Sequence, residues 1–170
     1  MVLTIPPGVD AAARRNAIFV PTDSLSVAVL GGATAVELMC YVTKGTFGVS
    51  ADTERGTDER ECSEQVAEVL GNTTWTLNDL DYVWEPQATA ASPTNKAYDT
   101  LKKGTTGFIV VRYGLKVDEA LAAGQKVDQF PVTLGEQVPK TPENSAGEKL
   151  KILQPVVVGL GVKRDQVLVA

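Results

Sequence analysis

The chain has 170 residues, 44% hydrophobic and 22% charged, a composition that fits one globular domain and excludes a wholly disordered chain. It contains no histidine, which removes Ser-His-Asp and Cys-His nucleophile activation and the commonest transition-metal ligand; hydrolysis could then run only on carboxylates or a Ser–Lys pair. The net charge of −5 is unevenly spread: residues 24–101 hold twelve acidic against four basic residues, and residues 102–170 hold ten basic against seven acidic, so no concentrated basic face for nucleic acid is expected.

No apolar run approaches the ~20 residues that span a bilayer, and no membrane contact is expected. The start, MVLTIPPGVDAAARR, lacks a basic opening, a continuous apolar stretch and a small-residue cleavage site, so it does not read as a secretory signal. Folding in the cytoplasm would keep Cys40 and Cys62 reduced, and without a CxxC they suggest neither a disulfide framework nor a zinc site. Valine and threonine together supply 40 residues, which favours strands.

Residues 1–23, with Pro6, Pro7, Gly8 and Pro21, carry no sustained period and read as an N-terminal arm. Residues 24–160 read as one β domain. In it, residues 25–30 suggest a short strand ended by Gly31 and Gly32. Residues 36–43 suggest a second, with Val36, Leu38, Cys40 and Val42 on one face and Glu37 among the opposite set. Residues 44–56, KGTFGVSADTERG, form a long glycine-punctuated connection, which in a compact domain is a functional loop or a hairpin projecting from the body. A charged run follows at 57–64, then a strand or short helix to Leu70.

Residues 73–85 give the clearest strand pattern. Trp75 and Leu77 share a face, the phase slips at Asn78 and Asp79, and Leu80, Tyr82 and Trp84 share another, as at a bulge or bend. A helix is expected over about 94–103, capped by Ser92 or Thr94 and closed by Lys102 and Lys103 before Gly104. Residues 106–115 read as a buried strand. Residues 125–138 alternate less cleanly around Pro131, which suggests an edge or a bulge, and Asp128 sits there on an apparent non-core face. Residues 149–159 suggest the last core strand, and 161–170 a C-terminal arm. Seven or eight strands and one flanking α-helix, without strand–helix alternation, imply a mainly β fold, an antiparallel sandwich or barrel.

Several patterns invite a chemical reading, each with a simpler structural one. The glycines at 31, 32, 45, 48 and 56 lack the GxxxxGK[ST] spacing of a phosphate loop and read as turn glycines. Asp52, Glu54, Asp58, Glu59 and Glu61 lack EF-hand spacing and interleave with Arg55 and Arg60, which favours a solvated, salt-bridged loop over a calcium site. Asp79 and Asp81 could flank a glycosidic bond, but no sugar platform accompanies them. Trp75, Tyr82 and Trp84 could stack on a base or a sugar, but core packing accounts for them as well and is the preferred reading. No catalytic residue, cofactor or metal is assigned.

One longer stretch is more specific. A segment ending in YVTKGTFGVSAD, the polar run TDERECSE, the strand LNDLDYVWEPQ and then NKAYDTLKKGTTGFIVVRYG together resemble the tail tube (major tail) proteins of long, non-contractile-tailed bacteriophages, most closely those of actinobacterial phages. The resemblance covers roughly residues 36–115. It implies a β-sandwich with one flanking helix, six copies of which form a ring, with rings stacked head-to-tail into the tube through which the genome is ejected. It also implies tape measure, tail tip and tail terminator proteins as partners, and a virion component assembled in the host cytoplasm. On that pattern residues 44–56 reach the adjacent ring, with Lys44, Phe47, Asp52, Glu54 and Arg55 as contact residues, and the two arms order on assembly. Double-stranded DNA would pass an acidic lumen without specific binding, for which Glu37 and Asp128 are the candidates. Exposed edges, a projecting loop and asymmetric charge suit such an assembler. A related tube of a secretion or injection machine, or a small-molecule-binding β-barrel, are the alternatives.

Overall fold

A computed structural model describes residues 15–61, 66–89, 92–142 and 147–170. In chain order the elements are β1 (Arg15–Val20), α1 (Val27–Leu30), β2 (Val36–Glu37), β3 (Val49–Asp58), β4 (Ala67–Leu77), β5 (Leu80–Val83), α2 (Lys96–Thr100), β6 (Thr106–Tyr113), β7 (Lys126–Leu134), β8 (Val138–Pro139), β9 (Lys151–Gln154), β10 (Val156–Val158) and β11 (Lys163–Val167). All strand pairings between these elements are antiparallel. The fold is a β-sandwich with more, shorter strands than the sequence suggests.

The large sheet runs β10-β7-β6-β1-β2, with β11 also on β7. Its centre is apolar on both faces, the signature of a strand covered from both sides. Ala17 and Phe19 of β1 enter one core while Ile18 and Val20 enter another, and Ile109 and Val110 of β6 divide the same way. The first core lies against the small sheet, ordered β5-β9-β8, which contributes Leu80, Tyr82 and Ile152, with Ala97 and Leu101 from around α2. The second is closed by Leu30, Ala35 and Leu168. Gly107 lets β6 approach β1: a Cβ there would lie 2.6 Å from the Phe19 ring and from the Val20 carbonyl oxygen.

Two prolines mark where pairing changes. Pro155 separates β9 from β10, so one residue carries the chain from the small sheet to the large one. Gly159 N–H donates to the Pro131 carbonyl (2.8 Å). The return bond that proline cannot make falls where β10 has ended and β11 has not begun, so a proline is accommodated inside β7.

Several expectations are corrected. Residues 15–20 are not part of an arm, because β1 is a central strand paired with β6 along its whole length; residues 1–14 lie outside the described region. Residues 161–170 are no arm either: β11 pairs with β7, Leu168 is 1% exposed, and Ser26 bridges Val169. Residues 27–30 form a helical turn, since the Ser26 hydroxyl caps it by accepting from Val29 N–H (3.2 Å) and outweighs the β preference of the valines. The second strand stops at Glu37. Residues 38–40 make a 3-10 turn that moves the chain from the large sheet to the edge of β5, where Val83 N–H donates to the Tyr41 carbonyl (3.0 Å). The helix begins earlier than expected, as a 3-10 turn over Pro93–Asn95 running into α2, and no side chain caps either piece.

Candidate assembly interface

The most exposed element is the hairpin of β3 and β4. Its register runs from Val49↔Leu77 at the base to Asp58↔Ala67 near the tip, with a shift between Thr53 and Arg55. At the shift Glu54 crowds Gly71, where a Cβ would meet the Glu54 Cβ at 3.0 Å. At ~3.3 Å per residue, the ten residues of β3 span about 33 Å. Cross-strand pairs hold it: the Thr53 and Thr73 hydroxyls lie 2.9 Å apart, and Arg55 Nη1 is 3.8 Å from Glu68 Oε2.

The base is fixed to the sandwich. Leu77 is buried, and Val49 and Trp75 pack against the first core. Asn78 Nδ2 donates to the Thr46 carbonyl (2.9 Å) and Asn78 N–H to the Gly48 carbonyl (3.0 Å), so the phase slip at Asn78 is the point where the chain leaves the hairpin for the small sheet. The Trp75 ring lies 5.8 Å from Phe130, and the Arg164 guanidinium stands 5.4 Å over it. Arg164 Nε in turn donates to Asp128 Oδ2 (3.1 Å). The hairpin base, β7 and β11 are thereby joined.

The outer half is solvated on both faces. Residues 66–74 are exposed throughout, including Val66, Val69 and Leu70. Residues 49–77 carry seven acidic and two basic residues. The resulting −5 equals the net charge of the whole chain, so the rest of the molecule is neutral in sum.

The five residues expected to act together as a projecting loop separate. Asp52, Glu54 and Arg55 lie on β3, whereas Lys44 is in the turn before the hairpin and Phe47, 3% exposed, is a core residue. Missing from the expected set was the second arm, β4 with its apolar tip. A hairpin solvated on both faces has no apolar alternation to betray it, and the usable signal was pair chemistry, Thr53 with Thr73 and Arg55 with Glu68.

The two lumen candidates are also more enclosed than expected. Asp128 is 5% exposed, paired with Arg164, and accepts Asp165 N–H (2.9 Å). It points with Phe130 and not to an outer face, because β7 is covered on both sides. Glu37 is half-buried; desolvation holds its carboxyl above the usual range, opposed by the Asn16 amide (3.4 Å) and the Arg112 charge.

Other exposed apolar side chains are Val157 on β10, Val167 on β11 and, in the turn between them, Leu160, which is fully exposed. A further group, Val138, Leu150 and Leu153, lies at β8 and β9. An exposed hairpin and dispersed exposed apolar side chains are the features of a surface that meets other chains. The family model for phage tail tube protein matches residues 11–170. No curated protein matches the chain.

Proposed function

The chain belongs to the phage tail tube protein family, a structural component of the virion tail, and on that premise we propose that six copies close into a ring and that rings stack head-to-tail to form the conduit for genome ejection. The observation that carries this reading is the β3–β4 hairpin: about 33 Å of ordered strand that contributes little to its own core beyond the base. An element of that length, with exposed Val66, Val69 and Leu70 at its end, suits contact with a neighbouring copy. The exposed apolar side chains of Val157, Leu160 and Val167 suit lateral contact within a ring.

On this reading the protein assembles in the host cytoplasm, around a tape measure protein and between a tip and a terminator protein. From the resemblance of residues 36–115 we infer that its kinship is nearest the tubes of actinobacterial phages. The lumen is acidic, so that DNA slides without the counterion release that binds it to basic surfaces. Glu37, at the short edge strand β2, is the remaining candidate for that wall, since the charge of Asp128 is compensated by Arg164.

Electron microscopy of the purified full chain over a range of concentrations tests the proposal. Rings or tubes with six-fold symmetry are expected, and particles that remain monomeric at every concentration would reject it.

A further inference from the structure

The hairpin tip needs a surface to meet, and one face of the body matches it in both charge and apolar content. In the small sheet, Ile152 and Tyr82 point into the core, so the alternate residues of the same strands face outward. Val138 is in register with Leu153, and Leu153 with Asp81; Val83 is in register with Lys151, and Lys140 N–H donates to the Lys151 carbonyl (2.9 Å). The outward row is therefore an apolar pair, Val138 and Leu153, beside lysines at 140, 149 and 151. Val138 and Leu153 are 49% and 39% exposed. Lys140 is held by Asp81 (3.1 Å). Lys149 and Lys151 have no ion pair among the described residues.

The hairpin tip is the complement. One face of the tip carries Leu70, 77% exposed, with Val66, 59% exposed, just before β4; Val69 alternates to the opposite face. The rim of the tip is acidic, and while Asp58 and Glu68 pair with Arg60 and Arg55, Glu59 and Glu61 have no ion pair among the described residues. We propose that the β3–β4 tip of one copy docks on the outer face of the β8–β9 strands of a second copy, Val66 and Leu70 against Val138 and Leu153, with Glu59 and Glu61 facing Lys149 and Lys151. The inference rests on the hairpin being the contact between copies, and it supplies the surface the hairpin contacts.

The chemistry sets the character of the contact. Exposed ion pairs contribute about 0–1 kcal/mol each, so the lysines and glutamates select register and partner more than they supply affinity. The small apolar patch holds one contact weakly, which keeps free copies apart. Repetition around a ring raises the effective concentration of every further contact.

A charge swap on the full chain tests the docking, read by sedimentation and electron microscopy at about 0.15 M salt. Glu59→Lys with Glu61→Lys, and separately Lys149→Glu with Lys151→Glu, should each lower the polymerised fraction about tenfold, and the four changes together should restore it to within about threefold of the parent. Circular dichroism of each variant confirms folding. If the lysine reversal assembles like the parent, or the combined variant fails to recover, the docking is wrong. If tubes also survive truncation of the hairpin, the reading of the hairpin itself fails. Independently, Leu70→Cys with Leu153→Cys, in a background of Cys40→Ser and Cys62→Ser, should give oxidised ladders of cross-linked chains from assembled material. Monomer alone after oxidation of tubes would overturn the proposal.

Discussion

Gln154 is fully buried, and its amide is used completely. Nε2 donates to the carbonyls of Leu101 (2.7 Å) and Gly135 (3.0 Å), and Oε1 accepts from the Tyr82 hydroxyl (3.0 Å). Gln137 Nε2 donates to the same hydroxyl (2.8 Å) and to the Tyr98 carbonyl (2.9 Å). The network ties the end of α2 to the small sheet and to the segment between β7 and β8. Gln154→Leu keeps the volume but strands two carbonyls, each costing about 1–3 kcal/mol when unsatisfied. A loss of about 3 kcal/mol, or about 10 °C in melting temperature, is expected by thermal denaturation. Burial also pushes the Tyr82 phenol up to about 12, against the smaller opposing effect of the Gln137 hydrogen bond. Its folded value thus lies above the unfolded one of about 10, so its contribution is intact below pH of about 10 and is lost as pH rises through 12. Denaturant titrations across that window should show a stability decline that is smaller in Tyr82→Phe; identical pH slopes would refute the assignment.

At the scale of elements, the hairpin and the turn before it behave differently although they are adjacent in sequence. Replacing residues 54–72 by Asn-Gly joins Thr53 to Thr73, which are already in register, through a two-residue turn that favours such a hairpin. Because the removed residues are mostly exposed, the melting temperature should shift by no more than about 2 °C, while tubes vanish from micrographs. Phe47→Ala, by contrast, empties part of the core and should cost about 3–5 kcal/mol. A deletion that begins at Phe47 would confound the two effects. Normal tubes from the hairpin truncation would remove the hairpin from assembly.

For the whole molecule, the first and last described segments are bound to each other. Val27 N–H donates to the Val169 carbonyl (2.9 Å) and Val169 N–H to the Leu25 carbonyl (3.0 Å). Lys163 reaches both oxygens of Asp23 at 3.0 Å, and Gln129 Nε2 donates to Oδ1 of the same carboxylate (2.9 Å), which holds the Asp23 carboxyl below the usual range. Truncation after Gly161 removes β11 and the buried Leu168 and uncovers β7, so the chain should lose its cooperative melting transition. Leu168→Ala, a milder change, should cost about 2–5 kcal/mol. A truncated protein that melts like the parent by circular dichroism would return residues 162–170 to the status of an arm. At this scale the charge is also segregated, since the net charge of residues 49–77 equals the −5 of the whole chain.

The sequence by itself determined the β class, the break at Asn78 and the helix after Ser92, because each rests on local chemistry: alternation, a phase slip, and proline and glycine punctuation. It also carried the family, through the order and spacing of residues 36–115. Only the tertiary structure decided which strands are central. Residues 15–20 look unremarkable beside Pro21 and become the middle of the large sheet by pairing with β6, more than 85 residues away; residues 163–167 become a strand by pairing with β7. The hairpin shows the same limit from the opposite side, since its strands are defined by each other and not by burial. Asp128 could be read as a surface charge until Arg164, a non-local partner, closed over it. Strand pairing joins residues distant in sequence, so the identity of the partner, and with it the face each side chain occupies, is set by the fold.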